Sequence, residues 1–233
     1  RPSHVDFTAR AKYGADVDLR GSGQFSGRMT LLLVAAGVVA KRIVGGVDYT
    51  TSIVEIGGSR NEAEFSDIIA SAMADGDSVG GVVECRAKGV GVGLGEPFFD
   101  SVESQISHLL FSVPAVKGVE FGEGFGFAAM RGSQANDAFR MEDDRVVTTT
   151  NHSGGVNGGI TNGMPVIFRC AIRPTPSIAR KQQTVSLKTG EDAELEIHGR
   201  HDPCILPRAV PVIEAMAAIA VLDLWKERQG CLR

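Results

Sequence analysis

Several short stretches of this chain gather side chains that can do chemistry. The densest is Gly199-Arg200-His201-Asp202-Pro203-Cys204-Ile205-Leu206-Pro207-Arg208, which sets two arginines, a histidine and an aspartate directly before a long apolar run. A purely structural helix entrance seldom needs an acid, a base and two guanidinium clamps together, because charges are costly to bury unless paired. At the front, Arg1-Pro2-Ser3-His4-Val5-Asp6 sets His4 beside the carboxylate of Asp6. That neighbour is expected to raise the imidazole pKa and keep His4 protonated near neutrality. Arg173-Pro174-Thr175-Pro176-Ser177-Ile178 offers a cation and two hydroxyls on a stiff strand exit, which suits a phosphate or simply ends an edge strand.

Two glycine-rich stretches complete the set. In residues 21–30, small residues with Ser26 and Arg28 precede a helix start, where free N–H groups and the helix dipole favour an anion. An ordinary turn explains that stretch equally well. Residues 148–163 carry paired glycines with Asn151, Asn157 and Asn162, an amide-rich surface able to line a flat polar ring or to serve as a surface loop. His108 and His198 read as structural. The sequence holds no G-x-S-x-G elbow, Walker loop, H-E-x-x-H or Rossmann fingerprint, which disfavours serine hydrolases, P-loop NTPases, zincins and classical NAD enzymes. No NADPH motif is visible.

These groups need a scaffold. Hydrophobic periodicity predicts helices over 29–43, 63–73, 97–111 and 207–228, and strands over 49–56, 82–92, 113–120 and 164–172. A glycine loop at 122–126 follows the third strand, and a polar, glycine-rich loop is expected before residue 28. Helices and strands alternate, but the strands are glycine-flanked, so the reading is an α/β or α+β layered domain with sheets covered by helices. No repeat or linker divides the chain, and 1–233 is taken as a single domain.

Bulk properties narrow the partners. A net charge of -4 gives no basic footprint and argues against nucleic acid. The longest apolar run, residues 31–40, is too short to span a bilayer, so no membrane partner is expected. Four cysteines without CxxC spacing read as reduced thiols of a cytoplasmic protein.

Taken in order, the motifs resemble the chorismate synthase family. The opening segment is similar to its R-P-G-H-A-D, with Ser3 and Val5 replacing glycine and alanine. Residues 23–30 resemble its glycine-, serine- and arginine-rich signature in an F-S-G-R variant. Gly93-Leu94-Gly95-Glu96-Pro97, Val116-Lys117-Gly118-Val119-Glu120, Met130-Arg131-Gly132-Ser133, Asn136-Asp137, Asn162-Gly163-Met164-Pro165, 174–178 and 200–204 match further stretches. The resemblance implies an α+β fold, a layered β-α-β sandwich of antiparallel sheets covered by helices. It implies a carbon–oxygen lyase that removes phosphate from 5-enolpyruvylshikimate 3-phosphate by anti 1,4-elimination, giving chorismate. Reduced FMN is the implied cofactor, with its reducing source borrowed rather than NADP-linked within this chain, and a homotetramer is the implied assembly.

Carried over residue by residue, His4 stands near the leaving phosphate and Asp202 beside flavin N5 as the acid–base group. Ser26 and Arg28 hold flavin and substrate, and Asn151 with Gly154 lies along the flavin. Thr175 and Ser177 contact the FMN phosphate and ribityl chain, Arg173 stands where the family commonly has lysine, and Arg200 binds substrate or flavin. One departure is large. The family's G-E-S-H-G motif, which lies ahead of the R-P-G-H segment, occurs nowhere in this sequence, so an N-terminal part of the fold is expected to be missing. The alternative reading is a non-catalytic or incomplete flavin- or phosphate-binding fragment of the family.

Overall fold

In the computed structural model, residues 1–199 and 201–231 are described. Arg200, one of the expected binding residues, therefore lies outside the described residues. The chain opens on helix α1 (Asp6–Tyr13), where only a loop was expected. A 3-10 turn at Gly27–Met29, capped by Ser26, leads into α2 (Thr30–Val44). There follow β1 (Asp48–Ile56), α3 (Phe65–Ala74), β2 (Gly81–Lys88), α4 (Val102–Ser112) and β3 (Val116–Phe121). The remainder is a short α5 (Gly132–Ala135), hairpin β4 (Phe139–Glu142) with β5 (Arg145–Thr148), the small pair β6 (Val156–Asn157) and β7 (Ile160–Thr161), strand β8 (Val166–Ile172), hairpin β9 (Gln182–Val185) with β10 (Asp192–Leu195), and the long α6 (Leu206–Cys231).

Four strands pair in the order β1-β2-β8-β3, every neighbour antiparallel. The strand period of two separates the faces. Val83, Cys85 and Ala87 of β2 and Phe168, Cys170 and Ile172 of β8 point into a core closed by α4 and α6. Burial pushes the thiols of Cys85 and Cys170 up to about 12, so both are inert packing groups. The opposite face carries an ion ladder: Arg169 donates through Nε to Glu84 at 2.7 Å and through Nη1 to Glu120 at 3.2 Å. The architecture is α+β, an antiparallel sheet layered with helices, as expected from the sequence.

Two boundaries differ from the sequence reading for local reasons. The helix expected from residue 97 begins at Val102, because Ser101 is the cap: its Oγ accepts from Ser104 N at 3.1 Å, while Phe98–Asp100 forms a separate 3-10 turn. Strand β2 stops at Lys88 rather than 92, because Gly89 turns left-handed at φ 88.

Helices α2 and α6 meet at Gly37. A Cβ built there would stand 2.5 Å from Ala215 Cβ and 2.6 Å from its Cα, so the two backbones approach more closely than any side chain permits. Alanine is the better helix former by about 1 kcal/mol, yet the overpacked contact should outweigh that. We expect Gly37→Ala to lose about 1–2 kcal/mol in urea unfolding. A midpoint equal to or above the parent's would mean the helices are not in this contact.

Candidate active site

The starts of α2 and α6 lie side by side and bound a cleft of about 630 Å³. Its polar lining comes from Ser26, Arg28, Asp202 and Arg208, and its apolar walls from residues such as Leu31, Val34, Val113 and Val212. Two helix N-termini and two guanidinium groups against one carboxylate make this a site for an anionic ligand with an apolar body.

Each polar group is held by a traceable contact. Ser26 Oγ accepts from Arg28 N at 3.3 Å and caps the turn, and Arg28 Nη1 reaches back to Gly21 O at 3.2 Å. The Asp202 carbonyl accepts from Thr175 Oγ1 at 3.0 Å, and the next carbonyl, of Pro203, accepts from Val79 N at 2.8 Å. Thr175 is itself fixed, its carbonyl accepting from Ser78 Oγ at 2.8 Å. The Asp202 loop is thereby nailed to both the lead-in of β2 and the exit of β8. Its carboxylate accepts from Arg208 Nη1 at 2.6 Å.

Arg173 and His4 are not among the residues that line the cleft. The Arg173 N–H donates to Ala115 O at 3.0 Å, beside the Val113–Pro114 wall, and its Nη2 donates to Ser3 O at 2.9 Å. His4 Nδ1 lies 3.0 Å from Asp6 Oδ1, and its Nε2 lies 3.2 Å from Ser22 Oγ. Ser22 takes a left-handed φ of 71 between Gly21 and Gly23, an uncommon state for a residue with a side chain. Nothing in the sequence flagged Ser22.

The protonation expected of His4 is overturned. Its pKa is lowered, first by burial and then by the Arg1 guanidinium, which together exceed the pull of Asp6. Asp6 is already committed to Arg1 through bonds to both oxygens at 2.8 Å, and this pairing holds its carboxyl far below the usual range. Sequence proximity identified the pair but not the competing cation.

Asn151 and Gly154 do not join the cleft within this chain. They sit before β8, at the end opposite Arg173, about 20 Å away by strand rise. Asn151 donates through Nδ2 to Pro165 O at 2.9 Å and accepts from Gly155 N at 2.7 Å, so its amide shapes the turn. Gly154, at φ 64, packs against the backbone of Gly122 and Ile167, where no side chain fits. Asp137, read in the sequence only as part of the family stretch Asn136-Asp137 and given no role, organises this turn. Its carboxylate accepts from Thr150 Oγ1 at 2.7 Å and from His152 N and Ser153 N at 2.8 Å each. Burial opposes the charge, but these bonds outweigh it and leave the Asp137 pKa lowered. Ser177 is half-buried two residues beyond Thr175.

Two measurements test this geometry. In an NMR titration His4 should titrate below about 6.5, the ordinary imidazole value. Because the folded state then favours the neutral ring, His4 supports stability above the unfolded pKa, and that support is lost as pH falls through the lowered folded value. Asp6→Asn should lower the His4 pKa further, and a parent value at or above 6.5 would contradict the placement of Arg1. Asp137→Asn should loosen residues 150–155 by about 1–3 kcal/mol, seen as faster amide hydrogen exchange at His152 and Ser153. Unchanged protection there would mean the carboxylate does not hold the turn.

The comparisons with known proteins agree with one another. The family model for chorismate synthase matches residues 1–225. A chorismate synthase from Chitinophaga pinensis is 51% identical over 224 residues, covering 96% of this chain and 66% of that protein. Those of Opitutus terrae and Korarchaeum cryptofilum are 46% and 44% identical, with 99% and 100% of this chain and 70% and 72% of theirs covered. A solved structure, the crystal structure of a chorismate synthase, superposes with a TM-score of 0.78 at 27% identity, over 95% of this chain and 70% of that one. The chain thus spans about two thirds of the length of these relatives. It belongs to the chorismate synthase family, a family of lyases.

Proposed function

We propose that the protein removes phosphate from 5-enolpyruvylshikimate 3-phosphate to give chorismate, using reduced FMN. The observation that carries this reading is the convergence of Ser26, Arg28, Asp202 and Arg208 on one cleft, in a chain of this family. The substrate is a small apolar ring bearing a phosphate and two carboxylates, and the cleft offers apolar walls with an excess of guanidinium groups. For the cofactor, the fit rests on Arg173. Its Nε is buried and, among the described residues, has no hydrogen-bond partner, which leaves a charged donor awaiting an acceptor. The Ser177 hydroxyl four residues on adds a group suited to a phosphate, while the Thr175 hydroxyl proton goes to the Asp202 carbonyl.

The reaction breaks a C–O bond, with phosphate leaving on the electron pair, and a C–H bond on the opposite face of the ring, closing a second ring double bond. Reduced FMN, when bound, supplies electron density to the ring and takes up the departing hydrogen. Arg28 binds and orients the anionic groups. The His4 pKa is lowered in the ligand-free protein, and an approaching phosphate dianion pulls it back up, so His4 can hold a proton for the leaving oxygen. Asp202 accepts from Arg208 through Oδ2, leaving Oδ1 to exchange a proton. The apolar walls exclude water from the reacting carbons.

The family's homotetramer belongs to the same reading. Leu31, Leu32, Val38, Val39 and Ile43 leave α2 with an exposed apolar face on which another copy can pack. Among the described residues no helix is long and apolar enough to cross a membrane, and a cytoplasmic setting is proposed with the activity.

An anaerobic assay with reduced FMN and the phosphorylated substrate tests the proposal, chorismate absorbance being the readout. Asp202→Asn should retain FMN binding and slow turnover by about 10²-fold or more. Unchanged turnover would remove Asp202 from proton handling. No chorismate from the parent chain would leave a flavin- or phosphate-binding family member in place of an enzyme.

A further inference from the structure

We infer that Arg208 is a substrate anchor held in reserve by Asp202, so that ligand binding exchanges the partner of the arginine and frees the carboxylate. This rests on the function proposed above and adds a residue that sequence reading had left without a role. Arg208 lies in the first turns of α6, but not on its buried face: Leu206 and Ile213 are fully buried, whereas the Arg208 side chain is 71% exposed. It lines the cleft opposite Arg28. The two guanidinium groups are held differently. Arg28 is tied to its own loop, through Gly21 O and Ser26 Oγ. Arg208 is tied to Asp202, a charged side chain of the same cleft.

The asymmetry within Asp202 makes the exchange possible. Its backbone is fixed through Thr175 Oγ1, and the neighbouring Pro203 carbonyl through Val79 N, so the loop stays in place when the side chain lets go. The carboxylate is bonded to a guanidinium that remains largely in water, and ion pairs of that kind are weak enough for a second anion to displace. A substrate phosphate or carboxylate entering between Arg28 and Arg208 offers the guanidinium a bidentate, desolvated partner in place of a monodentate, exposed one. Among the described lining residues, the released carboxylate is then the group with a carboxylate oxygen open to a proton. The resting protein keeps Oδ2 of this carboxylate occupied, and the arriving ligand releases it.

A double-mutant cycle on substrate binding separates this from a structural pair. Binding of 5-enolpyruvylshikimate 3-phosphate is followed by ³¹P NMR titration of the full chain, with no flavin and no turnover. Arg208→Gln should weaken binding about tenfold or more, and Arg208→Lys, which keeps the charge but loses the fork, should fall between. Asp202→Asn should tighten binding by up to about fivefold, because it removes the competitor. In the Asp202→Asn background, Arg208→Gln should still weaken binding. If Arg208→Gln binds as the parent does, or if its loss vanishes once Asp202 is gone, Arg208 only orients Asp202 and the inference fails while the function stands. If the parent chain does not bind the substrate, the proposed function fails and the inference falls with it.

Discussion

The contact between Gly37 of α2 and Ala215 of α6 governs the geometry of the cleft. Two helices that touch backbone to backbone cannot slide or tilt without opening a void or forcing a clash. Both helices run from the same end of the molecule, so the contact sets the gap between their N-terminal turns. The cleft is that gap. Lys41, one turn past Gly37 on α2, pairs with Glu214, the residue before Ala215 on α6, and stacks over the Tyr49 ring at 5.2 Å. Burial raises the Tyr49 pKa well above the ordinary phenol value, so its hydroxyl stays neutral beneath this pair.

The sheet does complementary work from below. Strand β8 is central, and both of its ends are used. At its exit, Arg173 and Thr175 tie the front segment and the Asp202 loop to the rim of the cleft. At its start, the turn organised by Asp137 packs on Gly122 and Ile167. The ion ladder from Glu84 through Arg169 to Glu120 crosses three strands, and Arg169 also donates to Gly122 O at 2.9 Å. A single guanidinium therefore couples strand pairing to the loop after β3. Burying Glu84 is tolerable only because both carboxylate oxygens are occupied, by Arg86 and Arg169 at 2.7 Å each.

Much of this was legible in the sequence. The helix through residues 31–40 and the strand ending at Ile172 announced themselves by apolar pattern, and the polar motifs flanking the cleft by their composition. What was not legible depends on contacts between distant residues. The apolar residues of helix α1, Phe7, Ala9, Ala11 and Tyr13, fall at every second position, so there is no helical periodicity to read. The direction of the His4 pKa shift was misread because Asp6 was counted, while the burial of the ring and the competing Arg1 were not. Asn151 invited a ligand role because amides suit flat rings, yet its hydrogen bonds go to Pro165 and Gly155. Asp137 showed only as part of a family stretch, and its role was hidden because its three donors lie 13 to 16 positions away. The arginine of 208 was visible as a cation, but only the fold places it across from Arg28.

Placing a base and its counter-ion in one ligand site carries a chemical consequence. A carboxylate left free beside two arginines would draw them inward and fill the site with its own ion pairs, which an anionic substrate would have to break. A carboxylate kept neutral by burial would bind the anion well but lose its proton affinity range. Here Asp202 is partly exposed and pairs with one exposed arginine, while Arg28 is held off by its own loop. One cation is always available to attract the ligand, and the second becomes available only in exchange for the base. In the proposed exchange, attraction of the ligand precedes release of the carboxylate, an order set by which loop holds which guanidinium, without any motion of the backbone.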